Sequence, residues 1–171
     1  MQVTLAQAIA AVSVISKQVS RFNDELSKVA YETVTKGEIA EEPQRPFIDV
    51  FTDLLDAQAE LTDLKVIIRT VNINETIDWD GQDISIAKAI EVAKNLRDQS
   101  RTLFPFGRAK KKEATRSYGS TETSYRIANF DPAFVAETSA QYERKANRLS
   151  SMIEARNHGI TLDIPFLEKY L

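Results

Sequence analysis

Residues 5–29 read LAQAIAAVSVISKQVSRFNDELSKV, and residues 47–71 read FIDVFTDLLDAQAELTDLKVIIRTV. In the first stretch Leu5, Val12, Val19 and Leu26 recur at seven-residue spacing, and Ala8, Ile15, Phe22 and Val29 form a second row three residues on. The next stretch repeats the arrangement, with Phe47, Leu54, Leu61 and Ile68 in one row and Val50, Ala57, Leu64 and Val71 in the other. Residues three and four apart share a helix face, so each stretch presents one apolar seam. A seven-residue period keeps that seam against a partner helix along its whole length.

The connection from Lys36 to Arg45 carries Gly37, Pro43 and the charges Lys36, Glu38, Glu41 and Glu42, a solvated link that makes the two helices antiparallel neighbours. Val14, Phe51, Leu55 and Ile67 lie outside the two rows and widen the apolar faces. Two helices alone cannot cover that width, so the pattern calls for three or four helices, from one chain or several. A 25-residue helix is about 37 Å long. The third helix is shorter than this, which favours cover supplied by other copies of the chain. Phe47, Leu54, Leu61 and Phe22 are the expected core.

Composition narrows the class. The chain has 171 residues, a net charge of -3, five glycines, five prolines and no cysteine. So few breakers favour long elements over a many-turned β architecture. Without cysteine there is no disulfide, thiolate catalysis or cysteine metal site. The mild charge does not mark the whole molecule as a polyanion binder. The most apolar run, Leu5 to Ile15, contains Gln7 and Ser13 and falls short of the roughly 20 residues of a membrane span. It also lacks a signal-peptide pattern, so the expected location is cytoplasmic, or the virion if the protein is phage-encoded.

The expected fold is mainly α: a long antiparallel helical hairpin within a four-helix bundle-like domain, with one or two short β-hairpins. The helices are expected at about 4–33, 46–72, 84–103 and 131–157. Thr4 with Gln7 forms a capping box, Asp83 or Ser85 caps the third helix, and Asp131-Pro132 starts the fourth. Phe104-Pro105-Phe106-Gly107 ends the third helix. Asp80-Gly81 marks a tight turn. Gly119-Ser120-Thr121-Glu122, between Ser117-Tyr118 and Ser124-Tyr125-Arg126-Ile127, marks a β-hairpin within a loop region 104–130. Residues 1–159 then form one helical domain, and 160–171 an apolar tail.

No reactive constellation stands out. Asp78, Asp80 and Asp83 sit around Gly81 like a calcium loop, but the twelfth position from Asp78 is Ala89 rather than an acid. His158 is the only histidine, which excludes multi-histidine zinc sites and suits a helix C-terminus. Catalytic, metal and cofactor residues are therefore expected to be none, and the protein is expected not to be an enzyme. Two regions suggest contacts instead. The tail residues Leu162, Ile164, Phe166, Leu167 and Tyr170 would leave a large apolar patch in water, so they either fold back onto their own bundle or lie on a neighbour, with Phe166, Leu167 and Tyr170 the candidates for a partner contact. Arg108, Lys110, Lys111, Lys112 and Arg116, against Glu113 alone, have Phe104, Phe106, Tyr118 and Tyr125 around them. The plainer reading is a solvated loop whose aromatics anchor the hairpin to the bundle; cations among aromatics can also hold a single-stranded nucleic acid or meet an acidic surface on another subunit.

Ile67-Ile68-Arg69-Thr70-Val71-Asn72, Asn74, Thr76, Asp80-Gly81 and the helix from Ile86 to Arg97 come in the order found in another group of proteins. Ile153-Glu154-Ala155-Arg156-Asn157-His158 closes the set. In this order the chain resembles a septicolysin-like family of uncharacterised helical proteins of bacteria and bacteriophages. His158 stands where that family has an aromatic residue, and the tail from Gly159 is an addition. The resemblance implies a helical-hairpin fold and an oligomer, and it carries over no catalytic residue. The expected function is a non-enzymatic structural or assembly protein forming a helical homo-oligomer, with a bacteriophage virion and its other proteins as candidate setting and partners. The alternatives are a nucleic-acid-binding accessory protein acting through residues 108–116, and a septicolysin-like membrane-active protein.

Overall fold

The computed structural model describes residues 1–39, 43–115 and 124–171. In chain order the elements are β1 (Gln2–Thr4), α1 (Leu5–Val29), α2 (Phe47–Asn74), β2 (Thr76–Trp79), β3 (Gln82–Ser85), α3 (Ile86–Gly107), β4 (Lys112–Thr115), β5 (Ser124–Ile127), α4 (Pro132–Gly159), β6 (Thr161–Asp163) and a 3-10 helix (Pro165–Lys169). The protein is mainly α, with four helices and three antiparallel two-stranded sheets among the described residues, β1–β6, β2–β3 and β4–β5. Glu41, Glu42 and Arg116, with the expected hairpin turn at 119–122, lie outside the described residues.

The chain is built as two compact units, residues 1–74 with 156–171, and residues 75–155. This differs from the expected single domain with a separate tail, because the tail belongs to the core of the first unit.

In the first unit the capping box forms as expected. The Thr4 hydroxyl accepts from the Gln7 N–H at 3.2 Å, and Gln7 Oε1 accepts from the Thr4 N–H at 2.8 Å. These bonds satisfy donors that a helix start otherwise leaves open. The helix stops at Val29 rather than Thr33. The seam ends there, and the β-branched run Thr33-Val34-Thr35 neither favours helix nor has anything to pack on. Tyr31 is accordingly 91% exposed. Arg45 then joins the helices. Its guanidinium donates to Glu25 Oε1 at 2.9 Å, pairs with Asp53 and lies 6.0 Å over the Phe22 ring. A clamp between the last turns of α1 and the first turns of α2 fixes the antiparallel pairing.

Both seams face inward. Leu5, Ala8, Ile15, Val50, Leu54, Ala57 and Leu64 are buried, and Leu61 and Phe22 are half-buried. Phe47, expected in the core, is 45% exposed and stacks on Phe51 instead. It opens α2 where α1 has already ended, so no turn lies opposite it. The unit is completed by Ile164 and Leu167, which pack with Val3, Ala8, Ala11, Ile15 and Leu64 in one cluster. β6 pairs with β1, Val3 opposite Leu162, and the Leu5 N–H donates to the Ile160 carbonyl at 2.9 Å.

In the second unit the Asp80-Gly81 turn joins β2 to β3 with both residues at positive φ, 53° and 81°. That geometry matches the right-handed twist of a two-residue hairpin, and Asp78 Oδ1 accepts from the Gly81 N–H at 2.9 Å. Ile77 and Ile84 face each other across this hairpin and are buried. Of the two expected caps, Ser85 is the one used for α3, its hydroxyl accepting from the Lys88 N–H at 3.2 Å. Asp131 caps α4 by accepting from the Ala133 N–H at 3.0 Å.

The third helix runs through Pro105 to Gly107 instead of ending at about Leu103. Proline in a helix forfeits a hydrogen bond. Packing outweighs that loss here: a Cβ on Gly107 would come 2.7 Å from the Ala136 Cα, so the two backbones are in close approach. Phe106 also meets Phe130 edge-on, with centroids 5.7 Å apart. Ala93, Ser100 and Gly107 on α3 are small residues at seven-residue spacing, as are Ser139 and Ala146 on α4. The buried Ser139 hydroxyl donates to the Ser100 carbonyl at 2.9 Å, and the two hydroxyls lie 3.1 Å apart.

Candidate functional site

Carboxylates and the lone histidine do not gather into a reactive centre. Among the described residues no group of three or more His, Asp or Glu side chains is placed to hold a metal ion. Asp78 spends its side chain on the Gly81 turn, and Asp80 faces Arg148 at 3.9 Å. His158 is exposed in the last turn of α4. No helix among the described residues is long and apolar enough to cross a membrane.

The most unusual surface belongs to α2. Ile48, Phe51 and Leu55 are 63%, 37% and 48% exposed, and Val66 and Ile73 further along are also exposed. At 100° per residue these five, with Ala59 and Thr62 between, form one stripe on the side opposite the seam that packs on α1. Asp49, Asp53, Asp56, Glu60 and Asp63 form a parallel row along one flank of that stripe. The helix is thus apolar on two opposite sides and acidic along one margin. Phe51 and Leu55 signalled this in the sequence; the carboxylate row was missed, although its four- and three-residue spacing was readable.

A second surface lies in unit 2, around the end of α3 and the β4–β5 hairpin. Every described residue of the two strands is exposed, so the hairpin covers no core. An isolated two-stranded hairpin is marginal in water, and this one is fastened at its base. The Lys111 ammonium donates to the Ala128 carbonyl at 2.9 Å and the Phe130 carbonyl at 2.7 Å. The Ala128 N–H donates to the Lys111 carbonyl at 3.0 Å. Lys111 therefore holds the hairpin and does not reach outward with its neighbours. Arg108 lies 5.3 Å over the Phe104 ring and Lys112 lies 4.1 Å over the Tyr125 ring. Lys110 lines a groove of about 550 Å³ whose apolar residues include Phe106, Ile127 and Phe130. Arg126 and Glu113, opposite each other on β5 and β4, also line it. Arg126 escaped the sequence reading; only the strand register brings it to Lys110.

Of the two placements open to the tail, the structure shows docking on its own chain. Ile164 and Leu167 are fully buried in their own chain, and Leu162, Phe166 and Tyr170 pack against the same cluster. The seam of α1 and α2 left a gap on one side, and the tail fills it with Ile164 and Leu167, while Leu162, Phe166 and Tyr170 stay half-buried. The Tyr170 hydroxyl donates to Glu60 Oε2 at 2.6 Å, and Lys169 Nζ lies 2.7 Å from Glu60 Oε1. Burial, reinforced by the bond to Glu60, pushes the phenol of Tyr170 above its ordinary range.

No family model and no curated protein matches this chain. A solved structure, described as a functionally unknown conserved protein from Corynebacterium diphtheriae, is similar in fold. It shares 17% identity at a TM-score of 0.67, over 95% of this chain and 100% of that one.

Proposed function

We propose that the protein is a non-enzymatic structural protein that assembles as a helical homo-oligomer, with a bacteriophage particle as the setting that its resemblance to phage and bacterial helical proteins suggests. The observation that carries this reading is the outer stripe of α2. Ile48, Phe51 and Leu55 stand exposed on a helix whose other side is already buried. Full burial of a large apolar side chain stabilises by about 1.5–3 kcal/mol, so three half-exposed ones offer an interface about 3 kcal/mol. Ile164 and Leu167 are buried within their own chain, so the outer stripe of α2 is the larger exposed apolar surface and the one this reading assigns to association.

Size-exclusion chromatography with multi-angle light scattering tests this at micromolar concentration. The wild type is expected as an oligomer, and Ile48→Glu/Leu55→Glu as a folded monomer with unchanged helical circular dichroism. A monodisperse wild-type monomer overturns the proposal.

A further inference from the structure

We infer that self-association is head-to-tail: the outer face of α2 in one copy seats in the groove beside the β4–β5 hairpin of another. The inference rests on the homo-oligomer reading and adds the two surfaces that meet. Ile48, Phe51 and Leu55 have the i, i+3, i+7 spacing by which an amphipathic helix anchors in an apolar groove. The groove offers Phe106, Ile127 and Phe130 as its apolar lining.

Charge selects the occupant. Asp49 and Asp56 flank the anchors and are exposed, while Lys110 and Arg126 line the groove with only Glu113 opposing them. Arg108 and Lys112, near the groove in sequence and held over aromatic rings, extend the positive surface. An acidic apolar helix is complementary to this surface, and the chain itself supplies one. Because the two patches are different, each copy both offers a helix and receives one.

Two variants test the pairing. Lys110→Glu/Arg126→Gln turns the groove negative, and Asp49→Lys/Asp56→Lys turns the α2 margin beside the anchors positive, Asp53 being paired with Arg45. All four positions are exposed, so both variants should keep the wild-type circular dichroism. Each alone is expected to raise the concentration for half-assembly by about tenfold or more, since its own two surfaces now repel. An equimolar mixture is expected to assemble again, because the altered groove of one variant fits the altered helix of the other, and their two unaltered surfaces fit each other. Oligomers that persist at wild-type size in both variants overturn the inference and leave the homo-oligomer standing. So does a mixture that stays monomeric. Assembly of the wild type only on addition of an oligothymidylate also overturns the inference and assigns the basic surface to nucleic acid. A wild type that is monomeric under every condition overturns both readings.

Discussion

Replacing Leu167 by alanine tests whether the tail is part of the fold. Leu167 has no exposed surface and packs in the cluster with Val3, Ala8, Ala11, Ile15, Leu64 and Ile164. The substitution deletes three buried carbons, worth about 0.8 kcal/mol each, or about 2.4 kcal/mol in transfer free energy. The cavity left behind adds on the order of 1 kcal/mol, because the surrounding helices relax only in part. The expected loss is therefore about 3 kcal/mol. With a urea slope of about 2 kcal/mol/M, the unfolding midpoint should fall by about 1.5 M, followed by circular dichroism at 222 nm. Leu171→Ala is the control, since Leu171 is 55% exposed and its truncation should change stability by less than about 0.5 kcal/mol. If Leu167→Ala matched that control, the tail would not be docked on its own chain, and the argument for in-chain cover of the seam would fail.

Ser139→Ala should destabilise by about 1–2 kcal/mol, because it strands the buried Ser100 hydroxyl; Ser100→Ala/Ser139→Ala should cost less than the sum of the single changes in the same denaturation assay. Tyr170→Phe should cost about 1 kcal/mol at neutral pH by deleting the bond to Glu60. The folded-state phenol titrates above its ordinary value of 10.0, so its contribution is complete below pH 10 and declines as pH rises further. The urea midpoints of wild type and Tyr170→Phe should therefore draw together as the pH rises above 10, and a constant difference would contradict the assignment.

What was legible in the sequence was local. Thr4 with Gln7, Asp80-Gly81 and Asp131-Pro132 act through bonds that close within a few residues, and the structure uses each as read. The seams were equally readable, because seven-residue spacing specifies a face. It does not specify what covers the face, and so for Ile164 and Leu167 the sequence left open whether the cover is their own chain or a neighbour. Their burial depends on Val3 and Leu64, distant in sequence. Pro105 was misread for the same reason. The local rule against proline in a helix is outweighed by the approach of Gly107 to Ala136 and by the Phe106–Phe130 contact, neither visible in a local window. Lys111 looked equivalent to Lys110 and Lys112, and only the position of the Ala128 and Phe130 carbonyls tells it apart.

The pairing of β1 with β6 has a consequence for biosynthesis. One unit draws its residues from both ends of the sequence, while the other is a continuous run from Glu75 to Ala155. As the polypeptide leaves the ribosome, the continuous run is fully emerged first and can settle. The α1–α2 hairpin, although translated earlier, must wait with one flank bare until Leu167 appears. A nascent chain is therefore most vulnerable to capture by chaperones along the side of α1 and α2 that Ile164 and Leu167 will shield.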